Sequence, residues 1–236
     1  MNSNSDQAFS SMMCDRFQYK EGVVNTWFNP DPEGTFPQHI ETLNVINVDK
    51  DGYREKIYKT QDGVNPFPES LQNTEFDIFL HATTHESAKD ILEHGIDLTK
   101  GKRKEQDFGP GFYVSDSLDI ALSWAKDRGF VRPAVLVFRV KNNELREGKQ
   151  FRGIDLRGGQ QRNSWKEVVK PFLNGQLRKN SHVHYIEGPM VNWKKLSRDN
   201  PVQMHSSYQL CVKKDSCAEF FNGSLHSVLF FDGNVL

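Results

Sequence analysis

The stretch from Phe76 to Ala125, FDIFLHATTHESAKDILEHGIDLTKGKRKEQDFGPGFYVSDSLDIALSWA, constrains the fold of this chain more than any other. Phe76, Ile78 and Leu80 alternate with Asp77 and Phe79, the pattern of a short buried strand, and this strand delivers His81 to its end. Thr83 or Thr84 caps a following helix whose apolar positions Ala88, Ile91 and Leu92 recur at helical spacing, and Gly95 stops it. Beyond a basic loop, Gly109, Pro110 and Gly111 frame a second strand, Phe112 to Val114. Ser115, Asp116 and Ser117 then lead into a helix bearing Ile120, Ala121, Trp124 and Ala125. Glycines just before an aromatic pair let another backbone or a ligand come close, which would leave Tyr113 with an open ring face.

The flanking sequence fits the same class. Ala134 to Val140, AVLVFRV, is the most apolar short run and has the β-branched content of a central strand. Residues 141–163 read as a charged, glycine-rich loop. Ser164 then caps a helix with Trp165, Val168, Val169, Phe172 and Leu173 on one side, which Pro171 is expected to kink or shorten. HVHYIEGPM, SYQLCV and SVLFF read as strands, and Asp215 to Phe221 as a short amphipathic helix. Upstream, Leu43, Val45 and Val48 are separated from Tyr53, Ile57 and Tyr58 by Asp49-Lys50-Asp51-Gly52, the signature of a β-hairpin. Many short strands with a few helices predict an α+β domain over 71–236, preceded by an extension with a hairpin over 16–70 and a disordered Ser- and Asn-rich segment over 1–15.

Composition limits the partners. A formal net charge of −1 with 26% charged residues gives no bulk attraction to nucleic acid or to an anionic membrane. No apolar run approaches a membrane-spanning length, and the amino terminus lacks a signal-peptide pattern. Cys14, Cys211 and Cys217 are odd in number and have no CxxC spacing, which suits a reducing compartment. An intracellular, cytoplasmic protein is expected.

Candidate chemistry gathers in the central stretch. His81 and His85 stand four apart, a spacing that would place two metal ligands on one helix face. His81 is assigned to a strand end instead, and no nearby carboxylate or cysteine completes a ligand set. Lys100, Lys102, Arg103 and Lys104 form either a solvated face or a phosphate contact.

With His81 at the end of an apolar strand and GPGFYVSDSLDIALSWA after a helix, the chain resembles ADP-ribosyltransferases of the His-Tyr class, the diphtheria-toxin and poly(ADP-ribose) polymerase type. It is more similar still to a bacterial-type uncharacterised group in which DFGxGFY is followed by a tryptophan-containing helix and a GP strand; here these are DFGPGFY from Asp107 to Tyr113, SWKEVV with Trp165, and HYIEGPM. The resemblance covers roughly residues 76 to 232. It implies a split mixed or antiparallel sheet with flanking helices and a mono-ADP-ribosyltransferase. Such an enzyme cleaves the nicotinamide–ribose bond of NAD and passes ADP-ribose to a protein or nucleic-acid acceptor, or to water.

Carried over residue by residue, the resemblance assigns His81, Tyr113 and Gln209 to catalysis. His81, Ala82, Thr83, Gly111, Phe112, Tyr113 and Arg103 are assigned to NAD. His81 would bond the adenosine ribose, the Ala82 backbone would hold the nicotinamide amide, and Tyr113 would stack on the nicotinamide ring. Gln209 aligns where the polymerases carry glutamate, and it offers an acceptor oxygen without the charge. Glu187 on the GP strand is the nearest alternative carboxylate, and Arg157 and Arg162 are candidates for acceptor or phosphate contacts. The neutral Gln209 also keeps open a catalytically inactive module of the same fold that binds a nucleotide or a partner protein.

Overall fold

The computed structural model describes residues 41–47, 58–59, 76–100, 106–131, 133–158, 162–176, 182–195 and 198–231, the first two segments by their backbone alone. The segment 1–15, the linker over 61–74, Cys14, the basic loop over 101–105 with Arg103, and the side chain of Arg162 lie outside this description. Nine strands form one mixed sheet in the order β2-β1-β9-β5-β3-β4-β8-β7-β6, and helices cover both faces. The strands are β1 (Glu41–Asn47), β2 (Tyr58–Lys59), β3 (Phe76–Thr84), β4 (Phe112–Ser115), β5 (Pro133–Lys141), β6 (Gly153–Asp155), β7 (Tyr185–Val191), β8 (Gln203–Val212) and β9 (Leu225–Phe231). The α+β class expected from the sequence is present. β1 and β2 pair antiparallel, β1 joins the sheet parallel to β9, and the hairpin turn expected at 49–52 lies outside the described residues.

Each helix follows from its local sequence. α1 (His85–His94) starts at Thr84, whose side chain accepts from the Ser87 N–H, and stops at Gly95, whose φ of 81° suits glycine. α2 (Leu118–Asp127) starts at Ser117, which accepts from the Ile120 N–H. α3 (Glu144–Glu147) follows β5, α4 (Arg162–Leu173) carries Trp165, and α5 (Asp215–Gly223) joins β8 to β9. α4 runs through Pro171 to Leu173 where a kink or shortening was expected. Pro171 forfeits the bond its own N–H would make to the carbonyl four residues back, and the helix ends two residues after it.

β5 is the spine of the core. Its Leu136 and Phe138 enter a cluster covered by α1 and α5, while Val135 and Val137 enter a second cluster under α2, and all four are fully buried. Such burial contributes about 1.5–3 kcal/mol per large side chain. A third cluster, built on Phe108, Trp165, Val169, Ile186 and Cys211, fills the space under α4. β3 is where the sheet changes character. It pairs with β5 along its whole length, from Phe76 opposite Lys141 to Thr84 opposite Pro133. With β4 it pairs at one position, Leu80 opposite Ser115. Two halves of the sheet therefore meet at a seam with almost no backbone ladder. His81 is interior to β3 and not at its end, because the strand continues for three residues to the helix cap.

Candidate functional site

Side chains hold the seam where backbone pairing is absent. Beyond Leu80, His81 reaches across it, with Nδ1 2.7 Å from the Tyr113 carbonyl. A carbonyl can only accept, so Nδ1 carries the proton. The ring also stacks on Phe112, at 4.1 Å between centroids and 28° between planes. On the other side of Leu80 an ion-pair chain takes over. Arg146 from α3 grips Glu187 of β7 with both ends of its fork, at 2.9 and 2.8 Å, and reaches Asp77 of β3 at 2.5 Å. Arg157 binds Asp155 twice, at 2.9 and 2.7 Å, and lies 3.5 Å from Glu187. Asp77, Arg146, Arg157, Glu187 and Tyr208 line a cavity of about 360 Å³.

Among the described residues that cavity has no uncommitted cation to offer a phosphate. Arg146 and Arg157 are both neutralised by carboxylates of the same cavity or its rim, and two fork-shaped pairs fix their directions. Glu187 is 3% exposed and has both oxygens engaged by Arg146, so it is a structural carboxylate. Lys100 likewise pairs with Asp90. His85 lies 3.0 Å through Nε2 from the Phe231 carbonyl and points away from His81's partner.

The glycine-framed loop before β4 is fixed from several sides. The Tyr113 hydroxyl donates to the Gly109 carbonyl at 2.6 Å and accepts from the Phe108 N–H at 3.0 Å. Burial of this hydroxyl holds its pKa well above the ordinary phenol value. Lys213 Nζ donates to the carbonyls of Phe108 and Pro110. A Cβ on Gly111 would lie 2.4 Å from the Val212 carbonyl, so the glycine admits the neighbouring strand. Gly109 has a φ of 73°, and a Cβ there would strike the Phe172 ring. The close approach expected at these glycines is thus made by the protein's own β8 and α4. Tyr113 packs against the cluster under α4.

Asp107 is the residue that sequence reasoning passed over. It is 4% exposed, and its Oδ2 accepts from the Val191 N–H at 2.7 Å and from Nε2 of Gln209. Burial pushes its pKa up to about 6, against the pull of these two donors. An acid directly before Phe108 at the head of a glycine-framed loop is the available signal. Its partner Gln209, itself 7% exposed, sits on β8 opposite Ser115.

The assigned residues therefore fall into two groups. Strand alternation puts His81 on the face of Phe79 and Phe112, with Phe112 8% exposed in the first cluster. Tyr113 and Gln209 lie on the opposite face, with Cys211 between them in register. Ala82 and Thr83 are buried in β3 beyond Leu80, along the edge where the described part of β4 no longer pairs. Among the described residues no helix is long and apolar enough to cross a membrane. No protein-family model matches the chain, and no curated protein is significantly similar to it.

Proposed function

We propose that the chain is an NAD-dependent mono-ADP-ribosyltransferase of the His-Tyr class, with the nicotinamide end of NAD lodged in the seam between β3 and β4. One observation carries this reading. The strand with His81 and the strand with Tyr113 are neighbours whose backbones pair at Leu80–Ser115 alone, and the His81 ring bridges to the Tyr113 carbonyl where the ladder has stopped. A split sheet is what the motif resemblance implies.

In this reading His81 binds the adenosine ribose from one wall, and the Tyr113 ring receives nicotinamide on the other. The Ala82 and Thr83 backbone along the open edge of β3 bonds the carboxamide. Gln209 offers Oε1 to the ribose. Cleavage breaks the bond between C1′ and the nicotinamide nitrogen, and the electron pair leaves with nicotinamide. An acceptor lone pair then bonds C1′, and its proton passes to water. Positioning of the acceptor matters more here than nucleophile strength.

Nicotinamide release on incubation with NAD tests the reading. Release by the folded wild-type chain is expected, with Tyr113→Ala raising KM about tenfold or more through lost ring contact. A folded chain that neither binds NAD nor releases nicotinamide would refute it. The neutral Gln209 favours a second reading, a module of this fold that binds NAD or ADP-ribose without turnover. Calorimetric binding with no nicotinamide released would select it.

A further inference from the structure

We propose that Asp107 and Gln209 act as one unit, in which the buried carboxylate holds the amide by Nε2 and polarises Oε1 toward the reacting ribose. This rests on the transferase reading above. Asp107 is a positioning residue in it, and Gln209 is the group that touches substrate.

The geometry fixes the amide. Asp107 Oδ2 already accepts from the Val191 N–H, so the group Gln209 turns toward it is the NH2 end. Oε1 is thereby directed away from the carboxylate. Among the described residues no cation pairs with this carboxylate, and the titratable groups that face it are Tyr113 from β4 and Cys211 from β8, with burial pushing the Cys211 thiol up. Lys213, just after β8, is committed to two carbonyls of the loop. From α4, Trp165 and Val169 pack into the cluster around Phe108.

A carboxylate bonded to an amide N–H draws electron density onto the amide oxygen, and the effect is larger away from water. As nicotinamide leaves, positive charge develops at the ribose C1′. A polarised, fixed oxygen stabilises it better than a free glutamine would. Two residues together then approximate the single glutamate of the polymerases. Neither forms a covalent bond or gives up a proton during the step. Asp107 titrates near pH 6, so the acid limb of turnover belongs to this pair.

The test exchanges the two groups. Nicotinamide release from NAD is measured for the full chain, for Asp107→Asn, for Gln209→Glu and for the double variant, with folding followed by thermal melting. Asp107→Asn is expected to lower kcat about tenfold or more while KM for NAD changes less than about threefold. Gln209→Glu alone also loses activity, because two carboxylates would share one buried site. The double variant restores an amide facing a carboxylate and recovers kcat to within a few-fold of wild type. A folded double variant no better than the worse single variant overturns the pairing, and so does an Asp107→Asn variant with unchanged kcat. The side-chain amide resonance of Gln209 in the wild-type chain, assigned through bonds from its own backbone, gives a readout if the variants misfold. It must shift with a midpoint near pH 6, and a resonance indifferent to pH there overturns the proposal. A wild-type chain that releases no nicotinamide defeats the transferase reading itself, and the pair's role falls with it; active wild type with failed exchange defeats the pair alone.

Discussion

Two carboxylates are buried beside β7 and β8, and the protein treats them oppositely. Glu187, 3% exposed, meets a guanidinium that engages both its oxygens, and a second arginine stands 3.5 Å away. Asp107, 4% exposed, meets a backbone N–H and a neutral amide. The first has its charge cancelled where it is needed, bridging β7 to Asp77 of β3 through Arg146 across a seam that has no ladder there. The second keeps its charge at a cost in stability. A buried charge that the fold pairs is a fastening, and one that it leaves unpaired beside a gap is a candidate for chemistry.

The comparison breaks most visibly at Arg146. Arg146→Ala strands Glu187 in the interior and is expected to cost about 3–5 kcal/mol, read from the denaturant midpoint. Replacing the pair together, as Arg146→Met with Glu187→Gln, should recover a good part of that loss. A small effect in the single variant would mean that water reaches Glu187 and that the seam is held by packing alone.

At Asp107 the sign reverses. Its folded pKa of about 6 lies above the ordinary carboxylate value, so the native state binds the extra proton and wild-type stability falls as pH rises from about 4 to 6. Asp107→Asn lacks this titration. Its stability relative to wild type should therefore grow by about 2–3 kcal/mol between pH 4 and 7 in paired urea melts. A difference independent of pH would place a counter-charge beside Asp107 and erase the contrast with Glu187.

Smaller effects sharpen the description of the seam. Gly111→Ala puts a methyl against the Val212 carbonyl and should cost about 1–3 kcal/mol, since backbone must move to admit it. His81→Ala removes the hydrogen bond to the Tyr113 carbonyl and the stack on Phe112 at a half-buried position, about 1–2 kcal/mol by thermal melting. The same variant should weaken NAD binding more than it weakens the fold.

Local signals in the chain were legible where local physics decides. Thr84 and Gly95 bound α1, Ser117 starts α2, and the β-branched run over Ala134–Val140 is the fully covered strand it resembles. What the sequence hid depends on partners far apart in the chain. Asp107 and Gln209 are 102 residues apart, and Arg146 and Glu187 are 41 apart, so no periodicity links them. The one-position pairing of β3 with β4 is likewise invisible, because strand composition does not say how many rungs a neighbour supplies. His81 was read as a strand end because the apolar alternation stops at Leu80, whereas backbone pairing with β5 carries the strand on to Thr84.

Amide hydrogen exchange of the full chain with and without saturating NAD tests the central claim most directly, because it locates the ligand without requiring turnover. NAD should protect those amides of Ala82 to Thr84 and Phe112 to Val114 that turn toward the seam, leaving the amides bonded to β5 and β8 and those of the Asp77–Arg146–Glu187 bridge unchanged. Protection confined to that bridge, or no protection anywhere, would contradict the placement of NAD between β3 and β4.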